Sequence, residues 1–435
     1  MPATDIVSST DAAHLLRRVG FGPTAAEIGA LTGLTRQAAV ASVMDFTGAP
    51  AVVRPSVDDR DNEWECYVNA QEWWVERMRT TNKPLQEKMT LFWHNHFCSG
   101  QDKLFDMGAM FNQNQKFRDL GMGSFLNLCQ VIAIDPAMLV YLDNATNRVG
   151  AEQENFAREL MELFTLGVGH YTEQDVIAMA KAWTGHNIVG WNGSFTDPTY
   201  VYYPARHDNT NKTLFGLLPQ NWNGPQAIVE IVDGSKRTEC SQFIARKMFK
   251  FFAHTNPSDA LVNSLAATFA ASNMTISNLV EAILLHDEFW SATSRWALVK
   301  SPIEFVVDVL RRIGRPSTDA GLPWAVEGMG QVLFNPPNVA GWGQNAYWLS
   351  TATAWARGGW LNWFKWRLDS WNFWDGIGSL PVATAVQKIF DDLGIFEPST
   401  ATRTQITSWF TAEPSWARQP NALIVGAMCP EFNVV

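Results

Sequence analysis

The chain is poor in cysteine for its 435 residues, and the five it has do not pair by spacing. Cys66, Cys98, Cys129, Cys240 and Cys429 are odd in number and contain no Cys-x-x-Cys, which argues against a disulfide framework or a zinc-thiolate site and for free buried thiols. Charge is also sparse. Asp, Glu, Lys and Arg make up 17% of the chain, below the usual quarter, while apolar residues reach 46%. That balance excludes a disordered protein and allows a large core. The net charge of -10 argues against nucleic acid as a partner. No run of 18 apolar residues occurs, so no membrane span is expected. The first residues, Met1-Pro2-Ala3-Thr4-Asp5, carry no basic and then apolar leader. The expectation is a cytoplasmic protein as the chain stands, or a periplasmic or extracellular one if a leader has been removed. Phosphate loops, dinucleotide fingerprints, HExxH and GxSxG are all missing.

Tryptophan is abundant. Eight of the 20 lie between Trp342 and Trp374. They serve either as packing for a helical C-terminal region or as stacking surfaces for sugar rings, because an indole offers a wide apolar face with one donor.

The apolar spacing is helical nearly throughout. It predicts an all-α fold: a large multi-helix domain over 1–375, a loop-rich insert near 186–225 with one short hairpin, and a C-terminal helical extension over 376–435 packed on it. Thr24 and Thr172 are expected as helix caps, Pro84 as the first residue of a helix, and 151–166 as one continuous helix. Pro336 and Pro337 force an extended turn before Gly341-Trp342.

Several groups of residues could carry chemistry. In Phe92-Trp93-His94-Asn95-His96-Phe97 the two histidines are two apart, so on a helix they face different ways and cannot chelate one ion from a regular helix. One can still serve a pocket while the other packs. Glu159 and Glu162 are three apart and share a helix face beside Leu160 and Leu163. Partial burial there would raise a carboxyl pKa and suit it to general acid chemistry, with Arg158 as the neutralising neighbour. Trp183 closes a helix ahead of the insert, which carries His207-Asp208 and Lys212. Asn338 and Trp342 belong to the proline-glycine turn.

Taken in order, these segments resemble a bacterial family catalogued as domain of unknown function 1800. The residues that carry the resemblance are His14-Leu15-Leu16-Arg17-Arg18 with Phe21-Gly22-Pro23, Phe92 to Phe97, Asp135-Pro136-Ala137-Met138, Asn155 to Leu160, Tyr171-Thr172, His207-Asp208 and Pro336-Pro337-Asn338-Val339 with Gly341-Trp342. The resemblance implies an activity that the family name leaves open, and export and proximity to sulfatase-like proteins. Two positions depart from the family pattern. Gly341-Trp342-Gly343-Gln344-Asn345 replaces the more usual Gly-Trp-Pro-Gly-Gly, and Phe164 stands where many relatives carry His.

The leading expectation is therefore a glycan-active hydrolase. Glu159, Glu162, His94 and His96 form its catalytic group; Trp93, Arg158, Trp183, His207, Asp208, Lys212, Asn338 and Trp342 bind substrate. One alternative is a non-catalytic binding or assembly partner of a sulfatase-like protein. The other is an enzyme holding a divalent metal with His94 and His96 and either Glu159 or Glu162.

Overall fold

A computed structural model describes residues 4–59, 62–190, 198–368, 374 and 376–435, without the side chains of 367 and 368. Trp191 and Trp371 lie outside the described residues.

Helix starts follow local chemistry. Ser8, Thr24, Thr172, Asn223 and Ser301 each close a reciprocal capping box, with Asp11, Glu27, Asp175, Gln226 and Glu304 as third residues. Each cap satisfies otherwise orphaned amides and contributes about 1 kcal/mol. Pro84, Pro136 and Pro302 occupy first turns, where a missing N–H costs nothing. The resulting fold is all-α. Among the described residues, the sole sheet is the hairpin His186–Val189 with Thr199–Tyr202, in which His186 pairs with Tyr202. No helix among these residues is long and apolar enough to cross a membrane.

Two helical segments differ from their expected form. The helical spacing of 102–120 is interrupted at Phe105, whose φ of 51° is left-handed, giving Gln101–Leu104 and Met107–Leu120. The segment predicted over 151–166 starts later, as the short helix Asn155–Glu159. It then widens into a π-helix over Leu160–Thr165, where Leu166 N–H reaches back five residues to the Met161 carbonyl at 2.9 Å. Within the expected helical extension, Ser415–Ala427 runs as one helix with Pro420 in its interior.

The apolar side chains gather into two large clusters. One is built on the N-terminal helix Ser9–Val19 and the bundle Gly224–Val232, Arg237–Phe252, Asp259–Ala271 and Ile276–Leu285. The other is built on Glu63–Thr80, Pro302–Ile313 and Thr351–Phe364. It includes Ile389, Phe390, Phe410 and Leu423 from the C-terminal helices. The helix Pro84–His96 serves both: Leu85, Met89, Phe92 and Trp93 join the first and Leu91 joins the second. On its second face Glu87 is fully buried. It accepts hydrogen bonds from Trp74 Nε1 at 2.9 Å and from Arg118 at 2.8 Å, and is paired with Arg77. Burial alone would raise this carboxyl, but Arg118 and Arg77 hold it below its ordinary value. All five cysteines are buried and free.

The tryptophan-rich stretch is mainly packing. Trp342, Trp348, Trp360 and Trp374 are buried, while Trp355 and Trp366 are exposed.

Candidate functional site

The helix Pro84–His96 places its two histidines as their spacing requires, on different sides. His94 is buried between Trp74, Phe334 and Trp342, with ring centroids at 5.4, 5.5 and 5.3 Å, and its Nε2 accepts the Phe334 N–H at 3.1 Å. Burial pulls its pKa down to about 3, so the ring is neutral. His96 points the other way. Its Nε2 donates to the Phe164 carbonyl at 2.9 Å and its ring stacks on Phe92. Burial holds it well below its ordinary value too. Phe164 packs on His96 and Phe97, so an apolar ring at 164 completes this part of the core.

The histidine helix and the Glu159 segment therefore do meet, but through the core rather than around a cavity. Arg158 forms a two-pronged pair with Glu173, both contacts at 2.8 Å, and also reaches Glu154. Glu159 is half-buried, and its carboxyl is raised by that burial and by Glu162. Glu162 accepts a hydrogen bond from Tyr171 Oη at 2.5 Å. The π-helix sets this face, and its widened turn is served from outside: Lys247 Nζ donates to the Leu163 carbonyl at 3.2 Å.

The insert residues form a third group. His207 is buried, with Nδ1 at 3.0 Å from the Thr184 carbonyl. Asp208 accepts from Thr210 N–H at 2.7 Å, and Lys212 Nζ donates to the carbonyls of Asp208 and Thr210 and to Asn221 Oδ1. These bonds tie the irregular chain to itself. Trp183 and Trp93 are fully buried and present no face to a ligand. Trp93 Nε1 donates to the Gly121 carbonyl at 2.7 Å. A Cβ at Gly121 or Gly224 would collide with Trp93 or Trp183 respectively, so both glycines admit an indole. Asn338 is exposed and its side chain accepts the Ala340 N–H, closing the turn.

Of the predicted residues, Trp342 lines a half-open cleft of about 270 Å³. Its walls combine Phe251, Leu298 and Trp348 with Arg18, Lys88 and Glu304. Asn95, the residue between the two histidines, fixes the rim: its Oδ1 accepts the Trp342 N–H at 2.7 Å. Gly341 passes directly over it with φ at 85°. A Cβ there would lie 2.3 Å from Asn95 Oδ1, so this turn needs glycine twice over. Lys88 is buried, donates to the Gly20 carbonyl at 3.4 Å and pairs with Glu304. Desolvation, with Arg18 and Lys300 nearby, lowers its pKa, while contact with Glu304 favours the charged form.

Asn95, Lys88 and Arg18 were not assigned roles from the sequence. For Arg18 there was a signal: it follows His14-Leu15-Leu16 on a helix that is buried along most of its length. No group of three or more His, Cys, Asp or Glu that could hold a metal ion occurs among the described residues, so the proposed set of His94 and His96 with Glu159 or Glu162 does not assemble. His94 and His96 already spend their Nε2 atoms on backbone groups.

What the fold and site define is a helical protein with a small, half-open cleft lined by Trp342 and Trp348. The chain belongs to the family described as protein of unknown function, DUF1800, whose profile matches residues 14–434. No curated protein and no solved structure matches the chain.

Proposed function

We propose that the protein is glycan-active and takes a terminal sugar ring into the Trp342 cleft. The observation that carries this reading is the cleft's make-up. Two indoles, Trp342 and Trp348, stand beside the side-chain amides of Asn95, Gln331, Gln344 and Asn345. Apolar ring surface next to fixed amide groups matches the two kinds of surface that a sugar presents. Size agrees with one ring: an apolar cavity of about 150 Å³ takes benzene, and this one is about 270 Å³.

Glu159 and Glu162 remain the candidates for hydrolysis. Supporting this, Glu159 is raised towards its protonated form while Glu162 is held by Tyr171. Neither lines the cleft, so binding and turnover are tested separately. Purified protein is screened against an oligosaccharide panel for binding and for released reducing ends. Trp342→Ala should weaken binding at least tenfold, and Glu159→Gln should abolish release while leaving binding intact. Unchanged binding in Trp342→Ala removes the cleft from the reading; unchanged release in Glu159→Gln removes the carboxylate role.

The second reading, a non-catalytic partner for a sulfatase-like protein, is favoured by the exposed Trp355 and Trp416, at 83% and 78% exposure. It predicts a stable complex without turnover, weakened by replacing these two residues with Ser.

A further inference from the structure

Three amides in the cleft wall have a fixed orientation. Gln331 Oε1 accepts from Ile303 N–H at 3.0 Å, Asn345 Oδ1 from Val299 N–H at 2.8 Å and Asn95 Oδ1 from Trp342 N–H at 2.7 Å. A backbone N–H can only donate, so each amide turns its oxygen to the main chain and its NH₂ away from it. Ile303 N–H lies in the first turn of Pro302–Ile313, where the helix offers no acceptor of its own. Among the described residues none of the three NH₂ groups meets an acceptor, and none is sealed from solvent.

The rest of the wall does little to balance these donors. Lys88 and Lys250 can only donate. Glu304 is the one carboxylate side chain in the wall, and both its oxygens are engaged, one by Lys88 and the other by Ser301 N–H at 2.7 Å. Ser301 Oγ in turn accepts from Glu304 N–H at 3.3 Å. Thr255 and Gln344 can turn either way.

A ring entering the cleft displaces water from the three NH₂ groups, and each must then find an acceptor on the ligand or be stranded. A sugar hydroxyl accepts, but it brings a proton of its own, and the fixed oxygens of the wall are already occupied. A carbonyl accepts two N–H groups and brings no proton. Beside the amides the wall is apolar, with Trp342, Trp348, Leu298 and Phe251. We infer that the ligand of this cleft is an acetylated sugar, its acetyl carbonyl received by NH₂ groups drawn from Asn95, Gln331 and Asn345 and its methyl by the apolar wall. The inference rests on reading the cleft as the sugar site and narrows that reading to one substituent. An amide-linked acetyl group on an amino sugar and an ester-linked one on a hydroxyl show the cleft the same carbonyl and methyl.

The test is calorimetry at pH 8 of the wild-type protein with glucose, glucosamine, N-acetylglucosamine and glucose 6-acetate. At least one acetylated sugar should bind tenfold or more tighter than glucose, and which of the two does so distinguishes the amide from the ester. Glucosamine, which has the nitrogen without the acetyl group, should bind no better than glucose. Gln331→Glu and Asn345→Asp keep an oxygen for Ile303 N–H and Val299 N–H but turn a second oxygen to the cleft in place of the NH₂. At least one of them should cut the acetyl preference tenfold while glucose binding is retained. Should either variant fail to fold, the other and the wild-type selectivity still decide. Glucose or glucosamine binding as tightly as both acetylated sugars overturns the acetyl assignment and leaves the glycan reading standing. An acetyl preference unchanged in both variants places that group away from these amides and overturns the inference. Binding of none of the four overturns both the inference and the reading of the cleft as a sugar site.

Discussion

His94 shows how a single buried side chain writes itself into the pH response. Held near 3 against an ordinary value of 6.5, it stays neutral in the folded protein while the unfolded chain takes up a proton. Between those values the unfolded state binds more protons, so stability is full above about pH 6.5 and falls as pH drops. The loss is about 1.4 kcal/mol per pH unit for this residue. His96 and His14, both driven well below their ordinary values by burial, add in the same direction. Urea unfolding of wild type and His94→Gln from pH 7 to 5 checks this: the variant should show a shallower slope by close to one proton. Equal slopes would mean that His94 is not buried neutral. The opposed placement of His94 and His96 was readable from their spacing of two. Which backbone group each would meet, Phe334 N–H or the Phe164 carbonyl, was not, because those partners lie 240 and 68 residues away in sequence.

At the scale of elements, the caps were legible and the π-helix was not. Thr24 and Thr172 announce their helices by side-chain chemistry acting over three residues, and Asp175 in the second box also ties down the insert through Phe215 N–H at 2.6 Å. The widened turn at Leu160–Thr165 leaves no such mark, since it adds about one residue to the repeat without changing the kinds of residue. Its support comes from side chains: Thr165 Oγ1 to the Leu160 carbonyl at 2.5 Å and Lys247 to the Leu163 carbonyl. Thr165→Val and Lys247→Met keep shape but remove these donors. Each should cost about 1–3 kcal/mol in chemical denaturation and, by loosening the segment, lower any turnover that depends on Glu159. Stability unchanged in both would show that the π-turn stands without them.

Over the whole molecule, the fold class was legible because helical spacing is local, whereas the cleft was not, because it is assembled from Arg18, Lys88, Asn95, Lys250, Glu304 and Trp342, which come from five separate segments. The C-terminal helices belong to the same apolar cluster as Glu63–Thr80 and Pro302–Ile313, to which they give Ile389, Phe390, Phe410 and Leu423. Each such side chain contributes about 1.5–3 kcal/mol by burial. A chain ending at residue 375 should therefore lose the cooperative unfolding transition and expose dye-binding apolar surface. A sharp transition in that truncation would mean that residues 1–375 fold independently.

If the Trp342 cleft is the ligand site, a crystal of the protein soaked with an oligosaccharide that it binds in solution will show a sugar ring beside Trp342 and Trp348, within reach of Asn95, Gln331 or Asn345. Well-ordered sugar bound elsewhere, with the cleft empty, is the contrary result.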